Sequence, residues 1–257
     1  MPPASSTVTA LSVTPVKATR LHTVDAIELG ANGARGNRRF FIVDERDRMV
    51  NAKVIGELQT VVATVEGDRL RFQFPDGRTV ESAVELGEPP AVVKFFSAAT
   101  EARPLLGPLS EALSDYIGRP LRVMEGAPAV DRGPRGGASL ISQASLERLA
   151  EAAEVDALDA RRFRMLIEID GVEANAEDRW VGRTVRIGDA AVRFHGHVGR
   201  CLITSRDPDT GVVDVPTLEL LGGYRGEVES TEPLPFGIYG EVVQPGTVRL
   251  GDAVIPD

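Results

Sequence analysis

Short segments in which apolar and polar residues alternate constrain the fold of this chain more than any other sequence feature. The clearest segment is Arg69–Phe74 (RLRFQF), which is followed by the turn triplet Pro75-Asp76-Gly77 and then by Thr79 and Val80. Proline fixes φ in such a turn and glycine accepts a positive φ, so this pattern predicts a β-hairpin. Further strand-like segments lie at 39–43, 164–169, 185–194 and 242–255. Many short strands with Gly/Pro turns predict a mostly β (α+β) fold, built as a closed or nearly closed barrel.

Two segments change to the spacing of a helix. Leu109, Leu113 and Ile117 recur every four residues, and Gly118 favours the end of a helix at that point. A second helix is predicted from about 145 to 153, because apolar residues again share one face. We therefore expect two or three short helices beside the strands.

Changes in composition along the chain predict its domain organisation. Residues 1–10 are rich in proline, serine, threonine and alanine, which is typical of a disordered tail. The pattern breaks at Gly87-Glu88-Pro89-Pro90, so we expect an N-terminal β domain at 11–95 and a second domain at 96–257. A loop rich in glycine and proline at 125–138 separates the two helices, and long loops of this kind are often functional or disordered.

Composition and charge exclude several classes of protein. The 257 residues include one cysteine, Cys201, which excludes a disulfide framework, a Cys-rich zinc module and a self-contained iron–sulfur cluster. The net charge of −9 argues against a nucleic acid or an anionic membrane as a partner. No run of about 18 apolar residues occurs and the N-terminus lacks the pattern of a signal peptide, so we expect a cytoplasmic protein with no membrane partner.

The single cysteine lies in the segment with the most specific local pattern. Cys201 follows Arg200, whose positive charge favours a thiolate, and precedes the turn Asp207–Gly211 of sequence DPDTG. A lone cysteine is most often a small buried apolar residue, so a structural thiol and a reactive thiol are both open readings here. His195 and His197 would share one face of a strand, where a metal-binding pair is conceivable.

The same segment resembles the signature of the MOSC family, whose domain is named after the C-terminal part of molybdenum cofactor sulfurase. The Arg-Cys pair and the DPDTG turn are most similar to the mitochondrial amidoxime-reducing branch of that family. Weaker matches follow the family's order from about Thr14 to Ala253, at Pro15-Val16-Lys17, Arg39-Phe40, Phe163-Arg164, Pro235–Tyr239 and Pro245-Gly246-Thr247. The resemblance implies a MOSC-type β-barrel preceded by an N-terminal β-barrel-like domain.

The resemblance also implies a cofactor and a site. In the amidoxime-reducing branch the cysteine is the protein ligand of molybdenum, and the dithiolene of a pterin also binds the metal. The resemblance therefore makes Cys201 the candidate metal ligand and catalytic residue. The pterin is an anion that carries a phosphate, which suits cations from scattered strands and backbone N–H groups. The candidate cofactor-binding residues at family positions are Lys17, Arg39, Arg164, Arg200 and Tyr239.

The sequence departs from the family pattern in two places. Ala18 stands where the family has a serine after Pro-Val-Lys, so one hydroxyl donor is lost. Residues 134–137 align with a family loop of sequence Asp-Thr-Ser-Pro, and Arg135 and Gly136 are expected to hold an anion there through backbone N–H groups. We expect no pyridoxal phosphate as cofactor.

Three functions are compatible with these patterns. The first is a molybdenum-pterin oxidoreductase that reduces N-oxygenated small molecules and takes electrons from a separate electron-donor protein, because the chain has no cluster of its own. The second is a sulfur carrier, a sulfurtransferase or a C–S bond enzyme that uses Cys201 as a thiolate or persulfide without molybdenum. The third is a non-catalytic module that binds the cofactor or another anion. The sequence favours the first function and gives no oligomeric state.

Overall fold

The fold is mostly β, as the alternating segments predict. The computed structural model describes residues 6–95, 98–126 and 133–257. Within these ranges the chain forms nineteen strands and three α-helices, α1 (Leu109–Ile117), α2 (Gln143–Ala152) and α3 (Thr217–Arg225). Among the described residues, no helix has the length and apolar character that a membrane crossing requires.

The strands are short, and most of them pair with a neighbour in antiparallel order. The strands before α1 are β1 (Thr7–Val13), β2 (His22–Thr23), β3 (Ala26–Gly30), β4 (Gly33–Ala34), β5 (Phe40–Asp44), β6 (Met49–Val50), β7 (Val62–Glu66), β8 (Arg69–Gln73), β9 (Thr79–Ala83), β10 (Ala91–Phe95) and β11 (Ala98–Pro104). The strands after α1 are β12 (Leu121–Gly126), β13 (Ala138–Ser142), β14 (Ile167–Asp170), β15 (Thr184–Ile187), β16 (Ala190–Gly199), β17 (Pro235–Gln244), β18 (Gly246–Arg249) and β19 (Val254–Pro256).

The C-terminal half forms a curled sheet of eight strands in the order β19-β15-β16-β17-β13-β14-β1-β2. Its two ends meet, because Thr7 in β1 forms a β-bridge with Ala253, and the N–H group of Val8 donates to the carbonyl of Asp252 at 2.9 Å. The inward side chains form one apolar core that includes Leu140 and Phe194. A sheet that closes in this way confirms the predicted barrel.

The N-terminal half surrounds a second apolar core. A five-stranded sheet (β10-β11-β12-β5-β6) and a three-stranded sheet (β7-β8-β9) contribute to this core, and α1 covers it with Leu109 and Leu113. The predicted hairpin is confirmed as β8 and β9, with Gly77 in the turn at φ 86°. The helix predicted at Leu109–Ile117 is confirmed, and Gly118 follows it in the left-handed conformation.

The first strand of the chain belongs to the C-terminal barrel. Strand β1 begins at Thr7, so the prediction of a disordered tail is wrong for residues 7–10, and residues 1–5 lie outside the described part. These residues are ordered because β1 pairs with β14, a contact that composition alone does not reveal. The division at 95/96 falls between β10 and β11, which form one hairpin, and it stays a prediction.

Three elements differ from the sequence-based expectations. The strand expected at 164–169 begins at Ile167, because residues 160–163 form a 3-10 helix and Arg164 ends it in the left-handed conformation. The segment 185–194 contains two strands, β15 and β16, that turn at 188–189. Helix α3 was not predicted, since its two adjacent glycines disfavour a helix, and packing of the buried Leu221 supports it instead.

Candidate active site

A cavity of about 410 Å³ lies where the barrel meets the N-terminal half of the chain. Six of the residues predicted from the sequence line it, although they come from separate segments: Lys17, Gly136, Arg164, Arg200, Cys201 and Tyr239. Four further polar residues line it that the sequence reasoning missed: Arg38, Asn51, Ser139 and Glu232. The cavity therefore combines a thiol, several cations and one carboxylate.

Cys201 occupies the turn that directly follows strand β16. Its backbone is extended (φ −139°), and its carbonyl accepts hydrogen bonds from the N–H and the Oγ1 of Thr204, each at 3.0 Å. Thr204 and Ser205 in turn contact the hydroxyl of Thr217 at 2.7 and 2.8 Å. Because Thr217 begins α3, these bonds fix the backbone of the cysteine turn to that helix.

The DPDTG turn fastens the cysteine segment to neighbouring parts of the chain. Asp207 Oδ1 accepts hydrogen bonds from the N–H groups of Asp209 and Thr210 and from Thr210 Oγ1. Burial raises the pKa of Asp207, but these hydrogen bonds outweigh it and hold the pKa below its ordinary value. Asp209 accepts two hydrogen bonds from Arg161, which lower the pKa of Asp209, and forms an ion pair with Arg20 at 3.1 Å. The DPDTG turn therefore anchors the loop that carries Cys201.

Two cavity arginines, Arg38 and Arg164, connect separate backbone segments near Lys17. Arg38 Nη2 donates to the carbonyl of Arg164 at 3.0 Å, and Arg164 Nη2 donates to the carbonyl of Thr19 at 2.7 Å. The N–H of Lys17 donates to the carbonyl of Phe40 at 2.8 Å, and the Lys17 side chain is buried, with 6% exposed. These bonds join the segment 17–19 to β5 and to Arg164, and all three cations line the cavity.

Arg200 holds the cavity wall together through backbone carbonyls. Its Nη1 donates to the carbonyl of Phe163 at 2.8 Å, and its Nε donates to the carbonyl of Phe236 at 2.8 Å. Its Nη2 also contacts Met165 Sδ at 3.1 Å, and the residue is buried. These contacts connect β17 with the segment before β14, and the predicted cofactor-binding role of Arg200, which also lines the cavity, stays a prediction.

Two predicted cofactor-binding residues are absent from the described lining of this cavity. Arg39 Nε donates instead to the carboxylate of Glu125, and its guanidinium lies 4.8 Å from the centre of the Phe40 ring. The neighbouring Arg38 lines the cavity instead, from the turn before β5, where its backbone is left-handed (φ 52°). Arg135 is exposed, and only its neighbour Gly136 reaches the wall.

The two histidines of β16 make separate contacts. His195 Nε2 lies 3.2 Å from Glu241 Oε1, whereas His197 Nε2 lies 3.2 Å from Asp178 Oδ1. Irregular register in β16 separates them, and the described residues contain no group of three or more metal-ligating side chains. The two histidines therefore contact different carboxylates, and a metal-binding pair stays a prediction.

Asp178 links His197 to helix α3. It forms an ion pair with the buried Arg225 at 2.8 Å, and Arg225 Nε also donates to the carbonyl of Pro235 at 2.9 Å. Burial raises the pKa of Asp178, but hydrogen bonds from His197 and Arg225 outweigh it, so the pKa lies below its ordinary value. The network ties α3 to the strands that carry the cysteine turn.

Comparisons with known proteins match nearly the whole chain. The MOSC N-terminal beta barrel domain model matches residues 5–120, and the MOSC domain model matches residues 129–255. The chain is 28% identical over 282 residues to mitochondrial amidoxime-reducing component 1 of Xenopus laevis, which covers 96% of this chain and 81% of that protein. It is 40% identical over 121 residues to the Mus musculus protein of the same name, which covers 45% of this chain and 35% of that protein.

A solved structure also matches along most of its length. The crystal structure of the YUAD protein from Bacillus subtilis has a TM-score of 0.48 and 12% identity, and the match covers 98% of this chain and 95% of that chain. The two family models agree with the order of domains that the resemblance implies. The chain therefore belongs to the MOSC family, with a MOSC N-terminal beta barrel domain followed by a MOSC domain.

Proposed function

We propose that this protein binds a molybdenum-pterin cofactor in the cavity and reduces N-oxygenated small molecules, with Cys201 as the protein ligand of the metal. The observation that carries the proposal is the lining of one cavity by Cys201, Lys17, Arg164 and Gly136, which are far apart in sequence. The names of the relatives, amidoxime-reducing components, support the same class of substrate.

The residues present fit such a cofactor by their chemistry. A thiolate is a soft ligand that suits a metal already bound by sulfur atoms, and amine or guanidinium groups suit a phosphate. The cavity volume of about 410 Å³ lies within the range of roughly 300–1,000 Å³ that is typical of small-molecule sites. Ala18, which stands in the position of the family's serine, packs in the N-terminal core and leaves the recognition of anions to the cations and backbone.

Each part of the wall has a task in this proposal. Lys17 and Arg164 hold the anionic part of the cofactor, and Arg200 fixes the position of the cysteine turn through two carbonyls. The metal centre, when bound, supplies the redox chemistry that the protein side chains lack. Reduction of an N-hydroxy group consumes a pair of electrons and a pair of protons, and the oxygen atom leaves as water. The electrons come from a separate electron-donor protein.

The first experiment measures the cofactor itself. Wild type, Cys201→Ala and Cys201→Ser are expressed in a host that makes the cofactor, and molybdenum is measured by elemental analysis and pterin by fluorescence after oxidative release. We expect near-stoichiometric molybdenum in wild type and its loss or weaker retention in both variants. Thermal unfolding of the same samples checks that the variants are folded.

The other outcomes separate the alternative functions. Folded wild type without metal and pterin would overturn the oxidoreductase proposal, and a persulfide on Cys201 by mass spectrometry would favour sulfur transfer. Bound cofactor without reduction of an amidoxime, under a chemical reductant, would favour a binding module. Equal molybdenum in wild type and Cys201→Ala would overturn the role of the cysteine as ligand.

A further inference from the structure

The loop 226–234 connects helix α3 to strand β17 and borders the cavity beside the cysteine turn. Glu232 of this loop lines the cavity, and the carbonyl of Pro233 accepts a hydrogen bond from the N–H of Arg200 at 3.1 Å. A Cβ atom built on Gly199 would be 2.9 Å from Glu232 Cβ and 3.0 Å from the carbonyl oxygen of Pro233. The loop therefore packs closely against the end of β16 and forms part of the cavity wall.

A single arginine joins the two ends of this loop. Arg225 is the last residue of α3, where the loop begins, and Pro235 is the first residue of β17, where the loop ends. Arg225 Nε donates to the carbonyl of Pro235 at 2.9 Å, so the two ends are bonded to each other. Only 3% of Arg225 is exposed, so this hydrogen bond is shielded from water.

The same guanidinium is anchored outside the loop, on Asp178. Its Nη2 donates to Asp178 Oδ1 at 3.0 Å, and its Nη1 lies 2.8 Å from Asp178 Oδ2, so the pair is bidentate. Asp178 follows Glu177, which is buried and accepts hydrogen bonds from two serines of the barrel and α2. The distances are 2.9 Å from Ser142 Oγ and 2.7 Å from Ser145 Oγ. Arg225 thus has a fixed partner that does not belong to the loop.

We propose that Arg225 is a positioning residue that holds the loop 226–234 in place as a wall of the cavity and thereby sets the affinity for the substrate. The effect on substrate rests on the proposed function. The cysteine turn has its own hydrogen bonds, from Thr204 and Ser205 to Thr217 at the start of α3. Release of the loop therefore changes substrate binding and leaves the metal ligand in place.

Limited proteolysis measures the hold on the loop without the cofactor. The protease Glu-C cleaves after glutamate, and Glu227 and Glu229 are exposed residues of the loop. A protease cuts a folded chain where it opens locally, so the cleavage rate reports the population of the open loop. Arg225→Lys keeps the charge but loses the forked donors to Asp178 and Pro235, so we expect cleavage after both glutamates to rise about tenfold.

Arg162→Lys is the matched control. Arg162 is also a buried arginine with a bidentate carboxylate, because its Nη1 and Nη2 lie 2.7 and 2.6 Å from Asp214. In the part of the chain that the structure describes, no hydrogen bond joins Arg162 to the loop, so its loss should leave cleavage of the loop as in wild type. Asp178→Asn should give a smaller rise than Arg225→Lys, since Arg225 keeps its bond to Pro235.

Three results of this test would overturn the inference. They are equal cleavage of the loop in wild type and Arg225→Lys, an equal rise in Arg225→Lys and Arg162→Lys, and a rise in Arg225→Lys that is the same at glutamates throughout the chain. The last result would mean that the whole protein opens and that the role of Arg225 is merely structural.

Kinetics of the cofactor-loaded protein test the effect on the cavity. We expect Arg225→Lys to raise KM for benzamidoxime about fivefold, while kcat and molybdenum content stay within about twofold of wild type. An unchanged KM, or a fall in kcat and molybdenum content together with stability, would overturn the positioning role.

Metal analysis of the same samples separates this inference from the proposed function. Molybdenum in wild type, with cleavage of the loop that does not depend on Arg225, would overturn the inference and leave the proposed function standing. Cleavage that depends on Arg225 in folded protein without molybdenum would overturn the proposed function and the effect on substrate, whereas the hold of Arg225 on the loop would stand.

Discussion

The backbone of Gly211 lies directly against the carbonyl oxygen of Gly56, so that a Cβ atom on Gly211 would overlap it. Gly211 ends the DPDTG turn, and Gly56 begins a 3-10 helix (Gly56–Thr60) in the N-terminal half. Arg206 bridges the same contact, because its Nη1 donates to the carbonyl of Gly211 at 2.6 Å and its Nη2 to the carbonyl of Lys53 at 3.4 Å. The family motif therefore joins the cysteine loop to the other half of the molecule.

Gly211→Ala is expected to lower the free energy of unfolding by about 3 kcal/mol or more, since it combines left-handed backbone strain with an overlap. Gly67→Ala is the matched control, because Gly67 also has a positive φ (61°) but no atom within 4 Å of its Cβ position, and we expect a loss of about 1 kcal/mol. Urea denaturation followed by the fluorescence of the buried Trp180, the one tryptophan, measures both. Equal losses would contradict the role of the Gly211 contact.

Arg200→Lys tests whether Arg200 positions the wall or binds the cofactor. Lysine cannot reproduce the forked donors to the carbonyls of Phe163 and Phe236, so we expect a loss of about 2 kcal/mol in the free energy of unfolding. Arg179→Lys, at a side chain that is 70% exposed, should change stability by less than about 0.5 kcal/mol. Unchanged stability with loss of cofactor would instead make Arg200 a cofactor ligand.

Lys17→Met and Arg39→Met separate a cavity cation from a cation outside the cavity. Lys17 lines the cavity, whereas Arg39 pairs with Glu125. Lys17→Met removes one charge from the anion site, so we expect cofactor affinity to fall about tenfold, while Arg39→Met should retain the wild-type content. Molybdenum and pterin content after dilution and gel filtration measures the difference. Equal loss in both variants would contradict the placement of the anion site.

The Asp178 network predicts a pH dependence of stability. The pKa of Asp178 is lowered in the folded protein. The ionised carboxylate therefore adds to the free energy of unfolding above the unfolded pKa of about 3.9, and this stabilisation is lost as pH falls through the lower folded pKa. The free energy of unfolding of wild type should therefore exceed that of Asp178→Asn at neutral pH. We call this difference the gap, and it should close below about pH 4. Denaturation between pH 3 and pH 8 measures it.

The control for this prediction is Asp189→Asn. The Asp189 side chain is 68% exposed and pairs with Arg249 at 3.2 Å, so its gap from wild type should be small at every pH. A gap for Asp178→Asn that does not change between neutral and acid pH would show that the carboxylate charge contributes nothing to the network.

Local patterns in the sequence were sufficient where neighbours along the chain decide the structure. The hairpin of β8 and β9 follows from alternation and a turn triplet, and α1 follows from apolar spacing and a terminal glycine. Helix α3 was missed because its support comes from packing of Leu221 against distant residues, which outweighs the low helix propensity of its glycines. Strand β1 was missed in part because its first residues are ordered by pairing with β14.

The sequence by itself determined the fold class, the family and the position of Cys201 in the chain, because these depend on periodicity and on an ordered motif. Only the tertiary structure decided which cations share the cavity with the cysteine. Arg38 and Arg39 are adjacent and chemically alike, but Arg38 has a left-handed backbone in the turn before β5 and lines the cavity, whereas Arg39 pairs with Glu125. Glu232 has no local pattern at all, because its place beside the cysteine turn depends on a close approach to Gly199, which only packing creates.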